Sequence, residues 1–225
     1  MMKSQGRFIL LYIIIGVNLL VGCGRKAAPQ YVIGVSQCSE DIWRDKFNKE
    51  LQMAEYLNDS IQVKLASSND DSKLQTRQIN QMIDEKVDLL VIAPNQLNTI
   101  SPAINRAYDK GIPVIIYDRK ANSNKYTAFI GCDNYAIGKS MGEFIAQKLQ
   151  GKGRVVEIRG LEGSSPALER HRGFMEAMKK YPGMQVVASE AGDWKEESGK
   201  KAMQRILDKT RDFDYVFSHN DRMGW

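Results

Sequence analysis

Short apolar runs alternate with segments of helical period through the first half of the chain. The runs are the expected strands of a sheet, and they read QYVIGVS, IQVKLA, VDLLVIAP, PVIIY and TAFIG. Between them apolar residues recur every three or four positions, which predicts helices packed by one face. The first helix carries Phe47 and Leu51 inward and is expected to begin at a capping Ser39 or Asp41.

The same alternation restarts near Asn134, where a helix is expected to begin. Ser165 is expected to cap a second helix with Pro166 at its first position, and RVVEI, MQVVAS and DYVFS are expected strands. The inward face of the helix from Asn134 is expected to consist of Ile137, Met141, Phe144, Ile145 and Leu149. Strands that alternate with helices of this length indicate parallel sheets covered on both faces. The predicted fold is α/β, with two Rossmann-like lobes at 30–133 and 134–225.

Polar residues collect at the ends of these strands, whereas the strand bodies stay apolar. In an open parallel sheet, ligands bind outside the carboxyl ends of the strands. The residues at those ends are Ser36, Asn95, Asp118, Arg119, Cys132, Asp133, His219 and Asn220. The sequence therefore predicts a binding site along one edge of each lobe.

The chemistry of several side chains suits a neutral polyol. Asp118 offers acceptors and Arg119 offers paired donors for hydroxyl groups. Trp43 and Trp194 offer flat apolar faces against which C–H bonds can lie. Taken alone, the charged pair fits a solvated loop equally well, and both rings fit core packing. Their polar neighbours in DIWRD and GDWKEE favour a cleft.

Charge and motif content disfavour several functional classes. The net charge is +5, but the lysines are spread over many segments, which does not fit a nucleic-acid interface. Gly160 and Gly163 precede a helix, yet this stretch lacks the lysine of a phosphate-binding P-loop. No convincing catalytic group and no metal-ligand spacing emerge from the sequence. We therefore expect a binding protein rather than an enzyme, with no cofactor.

The first residues are typical of an export signal. Lys3 and Arg7 precede an apolar run at 8–21, and the sequence LVGC ending at Cys23 resembles the bacterial lipobox. Residues 1–23 are thus predicted to be a signal peptide, with lipidation at Cys23. The alternative is an uncleaved signal anchor, and either interpretation places the following chain in the periplasm, attached to the membrane.

Two further cysteines follow this signal. Cys38 and Cys132 would lie in an oxidising compartment, where a disulfide is chemically allowed. Two cysteines do not make a disulfide framework, so we expect free or packed thiols.

Six segments carry a resemblance to a known family. In order they are YVIGVSQCSEDIW, PVIIYDRKA, FIGCDNYAIGK, RGLEGSSPALERHRGF, GDW and VFSHNDRM. Their order and spacing resemble the type 1 periplasmic binding proteins, the ribose-binding and lac-repressor group, from Tyr31 to Met223. The resemblance implies two similar lobes that close over a sugar by hinge motion. Because relatives continue beyond the last segment, the second lobe is expected to be incomplete here.

The resemblance also assigns roles in the first lobe. It implies that Ser36 hydrogen-bonds a sugar, that Trp43 forms a ring wall, and that Asp118 and Arg119 grip hydroxyl groups. Asn95 joins this set by its position at the end of a strand.

In the second lobe the resemblance implies three further contacts. Arg170 matches an arginine that reaches the site, Trp194 matches an aromatic wall, and Asn220 matches an amide ligand. Cys132 stands where ribose binders commonly have serine, and Glu40 stands where asparagine is common. Both departures indicate a sugar other than ribose.

The resulting functional prediction is binding of a small carbohydrate between two lobes, outside the cytoplasmic membrane. The first and last segments resemble the carbohydrate sensors of hybrid two-component histidine kinases, which predicts a sensing role with a membrane kinase as partner. The alternative is a solute-binding lipoprotein that serves an ABC permease. A lac-repressor-type regulator is disfavoured, because an export signal stands where a helix-turn-helix would be needed.

Overall fold

The computed structural model describes residues 29–225. The signal peptide predicted at 1–23 and the lipidation predicted at Cys23 lie outside the described residues and stay predictions. None of the helices in the described part has the length and apolar content needed to cross a membrane.

The first lobe contains a five-stranded sheet. Its strands are β1 (Tyr31–Gln37), β2 (Ile61–Ser67), β3 (Leu89–Ile92), β4 (Val114–Tyr117) and β5 (Ala128–Ile130). All pairings are parallel, in the order β2-β1-β3-β4-β5. The helices that connect these strands are α1 (Ile42–Tyr56), α2 (Ser72–Asp84) and α3 (Ser101–Asp109).

The second lobe contains a three-stranded parallel sheet. Its strands are β6 (Lys152–Arg159), β7 (Gly183–Ala191) and β8 (Tyr215–Ser218), in the order β7-β6-β8. The helices are α4 (Asn134–Lys148), α5 (Ser165–Lys179), α6 (Glu196–Lys209) and the short α7 (Asp221–Gly224). The two sheets confirm the predicted α/β fold with parallel strands.

Side chains of the central strand β3 alternate between the two faces of the first sheet. Leu90 and Ile92 belong to one core layer with Ile104 of α3. Val91 belongs to a second layer, against which Phe47 of α1 packs. Because both faces are buried, consecutive residues of this strand are apolar instead of alternating with polar ones.

Helices α4 and α5 approach each other through glycine backbones. A Cβ atom added at Gly138 would lie 2.0 Å from the carbonyl oxygen of Arg170, and one at Gly173 would lie 2.1 Å from that of Tyr135. Ile145 is buried on the same side of α4, together with Gly142.

This close approach corrects the predicted inward face of α4. Ile137, Met141 and Phe144 are 37–43% exposed, so the prediction that they face inward is wrong. Ile145 is buried, and Leu149 packs on the core of the second lobe. The face of α4 that carries the glycines packs against α5, because backbones in contact exclude water from both helices. Larger side chains would hold the helices apart.

Helix caps are predicted at two places, and one of them shifts by a residue. Asp41, one of the two expected caps, accepts hydrogen bonds from the backbone N–H groups of Trp43 and Arg44. The cap residue of α5 is Ser164 instead of Ser165, which places Pro166 at the second helical position. The displaced Ser165 hydroxyl accepts a hydrogen bond from the backbone N–H of Lys120 in the other lobe at 2.6 Å.

Candidate functional site

The two lobes contact each other through residues near the carboxyl ends of their strands. Lys120 Nζ lies 2.7 Å from a carboxylate oxygen of Glu169, and Lys195 Nζ lies 2.6 Å from a carboxylate oxygen of Asp70. Each ion pair joins one residue of the first lobe to one of the second. A cavity of about 330 Å³ lies between the lobes and is lined in part by Asp41, Asp70, Arg119, Trp194, Lys195 and Arg222. Its volume falls in the range of small-molecule sites.

Asp118 follows the last residue of β4 and is held by a buried arginine. Its backbone adopts a φ of +60°, which is uncommon outside glycine and best tolerated by Asn and Asp. Its carboxylate accepts a hydrogen bond from Arg44 Nη2 at 2.5 Å. The Asp118 side chain remains 48% exposed, whereas that of Arg44 is 8% exposed. The carboxylate thus stays accessible while its partner is covered.

Arg44 was missing from the predicted site. Its guanidinium lies 5.2 Å from the Tyr117 ring, and it also donates to the sulfur of Cys38 at 3.3 Å. Burial lowers the pKa of Arg44, but Cys38 and Asp118 outweigh that effect and raise the pKa, so the group stays charged. The sequence held one signal: an arginine in the first turn of a helix opposes the helix dipole and needs a nearby anion.

Arg119 is buried and is oriented by Asn95. Its Nη1 donates to the backbone carbonyl of Asn95 at 3.1 Å and to Asn95 Oδ1 at 3.3 Å. Asn95 Nδ2 in turn donates to the carbonyl of Asp70 and to the Ser72 hydroxyl. Both amide hydrogens of Asn95 are therefore used within the first lobe. Asn95 supports Arg119 from the side of the first lobe's core.

Ser36 lies inside β1 and has no exposed surface. Its hydroxyl oxygen accepts a hydrogen bond from Gln75 Nε2 at 3.2 Å, and the same amide nitrogen donates to the carbonyl of Ala93. The placement of Ser36 at an open strand end is therefore wrong for this conformation. The strand extends through Gln37, and α2 covers the hydroxyl.

Arg170 of α5 points into the region between the lobes. Its Nε donates to Asn134 Oδ1 at 3.0 Å, and its Nη1 donates to the backbone carbonyl of His219. Its guanidinium lies 5.5 Å from the centre of the Trp194 ring. Burial lowers the pKa of Arg170, and the charges of Asp118 and Cys132 act in the opposite direction. The Asp118 carboxylate thus favours the charged form of Arg170 from across the lobe boundary.

Trp194 lies between the two arginines. The Arg119 guanidinium is 6.0 Å from its ring centre, slightly farther than that of Arg170. Asn220 Nδ2 donates to the backbone carbonyl of Trp194 at 3.2 Å, and Asn220 Oδ1 accepts from the N–H of Met223. Asn220 therefore caps α7 and holds the Trp194 loop, which leaves it part of its amide for other partners.

Trp43 and Cys132 are placed at the surface. Trp43 is 73% exposed and lines a groove of about 1070 Å³ that also includes Asp221 and Arg222 of the second lobe. Cys132 is an exposed free thiol, and Cys38 is a buried one. The structure thus brings Asp118, Arg119, Arg170 and Trp194 together and buries Ser36 and Asn95. Trp43 lines a separate groove that shares Asp41 and Arg222 with the cavity.

The assembled groups can bind an uncharged polar ligand without a metal. Paired charges supply hydrogen-bond donors and acceptors, and the tryptophan ring supplies an apolar face. Within residues 29–225, no three His, Cys, Asp or Glu side chains are grouped so as to hold a metal ion.

Two parallel α/β lobes that meet over a cleft of charged and aromatic side chains define a two-lobed solute-binding protein. Residues 33–225 match the periplasmic binding protein domain, and the chain belongs to that family. The family predicted from the six sequence segments is confirmed.

Several relatives of the chain are sugar-binding proteins. The galactofuranose-binding protein YtfQ of Escherichia coli K12 is 29% identical over 221 residues, covering 95% of this chain and 69% of that protein. The ribose import binding protein RbsB of Bacillus subtilis 168 is 32% identical over 164 residues, covering 73% of this chain and 53% of that protein.

A solved structure is also similar over most of the chain. The fructose binding periplasmic domain of a hybrid two component system is 43% identical, with a TM-score of 0.82, and the match covers 86% of this chain and 64% of that one. The chain therefore spans between 53% and 69% of the length of these three relatives.

Proposed function

We propose that the chain binds a small neutral carbohydrate in the cleft between its lobes, in the periplasm, and that a membrane histidine kinase responds to this binding. The nine residues Ser36, Trp43, Asn95, Asp118, Arg119, Cys132, Arg170, Trp194 and Asn220 are the proposed site. Arg119 and Trp194 line the cavity between the lobes, Asp118 and Arg170 lie beside them, and Ser36 and Asn95 are buried within the first lobe.

The observation that carries this proposal is the convergence of Arg119 and Arg170 on Trp194, with the accessible carboxylate of Asp118 nearby. Sugar hydroxyls need donors and acceptors at fixed positions, and sugar C–H faces need an aromatic surface. The two lobes supply these groups from opposite sides, which fits closure around a ligand.

The sensing role is supported by the 43% identity to the fructose binding periplasmic domain of a hybrid two component system. Delivery to an ABC permease is the second candidate, supported by the ribose import binding protein among the relatives. In either role we propose that Cys23 carries the lipid anchor or that residues 1–23 hold the protein at the membrane.

Thermal unfolding of the full natural protein tests the binding proposal. The panel consists of fructose, ribose, galactose, arabinose and small oligosaccharides built from them. A sugar that binds only the folded state raises Tm. At a free sugar concentration of about a hundred times Kd, the free energy of unfolding increases by about 2.7 kcal/mol. A panel without any shift would contradict the proposal.

A gene deletion separates sensing from transport. For a sensor, deletion abolishes the transcriptional response to the bound sugar and leaves uptake of the radiolabelled sugar intact. For a transport protein, deletion abolishes uptake at low sugar concentration. Loss of uptake with a preserved transcriptional response would overturn the sensing role.

A further inference from the structure

A fully buried carboxylate lies at the centre of the second lobe. Glu157 of β6 has no exposed surface and accepts hydrogen bonds from three elements. His219 Nε2 donates at 3.0 Å, His171 Nδ1 lies at 2.8 Å, and the Ser189 hydroxyl donates at 2.6 Å. Hydrogen bonds from a helix, a strand and the loop after β8 therefore stabilise the buried Glu157 carboxylate.

His219 is fixed in one tautomer by its two ring contacts. The backbone N–H of Gly160 donates to His219 Nδ1 at 3.3 Å, so Nδ1 must be the unprotonated nitrogen. The ring proton then lies on Nε2, which donates it to Glu157. The imidazole is neutral and cannot turn over without losing both partners.

The opposite side of His219 contacts the cleft wall. Its backbone carbonyl accepts a hydrogen bond from Arg170, and its ring centre is 6.2 Å from that of Trp194. Gly160, which the imidazole holds, packs directly under Trp194, because a Cβ atom there would lie 2.0 Å from Trp194 Cζ2. His219 thus contacts Arg170 through its backbone carbonyl. Its ring contacts Trp194 directly and also through Gly160.

We propose that His219, oriented by Glu157, is a positioning residue for the binding wall of the second lobe. It sets the direction of the Arg170 guanidinium and the seat of the Trp194 ring. This inference rests on the proposed sugar binding, since the wall it orders is the one that would contact the sugar.

A purely structural role for the cluster makes a different prediction. His171 also binds Glu157, but its side chain is 38% exposed, and its ring contacts Glu157 instead of the cleft wall. If Glu157 serves stability alone, replacing either histidine would lower Tm and leave affinity unchanged. If His219 positions the wall, only its replacement would change affinity.

The experiment compares His219→Gln with the matched control His171→Gln in the full protein. Kd is measured by calorimetry at 25 °C with the monosaccharide of the panel that raises Tm most. The indole N–H resonance of Trp194, assigned with Trp194→Phe, is recorded without sugar. We expect His219→Gln to weaken binding at least tenfold and to shift this resonance, and His171→Gln to change Kd less than twofold.

A second variant tests the Gly160 contact. The side-chain oxygen of Asn can replace Nδ1 as acceptor, so His219→Asn should recover part of the affinity that His219→Gln loses. If His219→Gln does not fold, Glu157→Gln takes its place with the same expectations. Equal Kd values and an unshifted Trp194 resonance in the His219 and His171 variants would overturn the inference. A wild type that binds no panel sugar would instead refute the proposed function, and the resonance would still report on the positioning.

Discussion

Arg44 and Asp118 form an ion pair in which one partner is buried and the other remains half exposed. Arg44 fixes one carboxylate oxygen of Asp118, whose side chain stays 48% exposed next to Arg119. A preorganised carboxylate loses little conformational entropy when a hydroxyl donates to it, so its hydrogen bond contributes more to affinity than one from a mobile side chain.

Asp118→Asn tests this carboxylate without disturbing its backbone, because Asn also tolerates the φ of +60° found there. We expect a loss of roughly 2 kcal/mol in sugar binding, or about a 30-fold rise in Kd. Calorimetry measures the change.

Asp109→Asn is the matched control for that substitution. Asp109 ends α3 and pairs with Lys125 at 2.7 Å, at the opposite end of β4 from Asp118. The Kd of the Asp109→Asn variant for the sugar should equal that of the wild type. Similar Kd values for both variants would remove Asp118 from the site.

Gly138→Ala should destabilise the second lobe. The new methyl group would meet the Arg170 carbonyl at 2.0 Å, so α4 and α5 must separate at a cost of about 1–3 kcal/mol. Denaturant unfolding measures this loss. Ser140→Ala on the exposed side of α4 is the control, and a Gly138→Ala variant as stable as this control would refute the close contact.

Cys132 should report ligand binding by its rate of alkylation. This thiol is exposed, and the backbone carbonyl of Cys132 accepts a hydrogen bond from Asn134, which also binds Arg170. Saturating sugar should slow its reaction with iodoacetamide at least fivefold, as measured by peptide mass spectrometry. The buried Cys38 is an internal control that should stay unmodified, and a Cys132 rate insensitive to sugar would contradict the prediction.

Acid should destabilise the second lobe through Glu157 and His219. Burial raises the pKa of Glu157, but hydrogen bonds from His171, His219 and Ser189 outweigh it and lower the pKa from 4.5 to about 2. The resulting stability, on the order of 3 kcal/mol, is present above pH 4.5 and is lost as pH falls toward 2.

His219 adds an earlier loss, because burial lowers its pKa below 6.5 despite the opposing effect of Glu157. As pH falls, His219 is protonated in the unfolded chain before it is protonated in the folded protein, so stability begins to fall below pH 6.5. Tm of the wild type should decline as pH falls from 7 toward about 2, and Glu157→Gln should show a shallower decline below pH 4.5. Parallel curves for both proteins would exclude the cluster as the cause.

Much of the fold follows from local pattern. The strand VDLLVIAP is apolar at consecutive positions because helices cover both faces of its sheet, and that requirement is visible in the sequence alone. Asp118 and Arg119 could be placed at a strand end for a related reason, because a continuous apolar run that meets two adjacent charged residues is expected to stop there.

Other features depend on contacts between distant segments. Arg44 is buried only because Asp118 and Tyr117 arrive from another part of the chain. Ser36 satisfies the same polar pattern as Asp118, but Gln75 of α2 covers it. Period and composition do not reveal which polar group a neighbouring helix will cover.

The glycine contact between α4 and α5 makes the two helices a rigid pair. At Gly138 and Gly173 the two backbones are in contact without side chains between them, so a displacement of Arg170 would move α4 with α5. The first residue of α4 is Asn134, which is bonded to Arg170 and immediately follows the segment that joins the two lobes. A ligand that shifts the Arg170 guanidinium would therefore also move the segment that joins the two lobes.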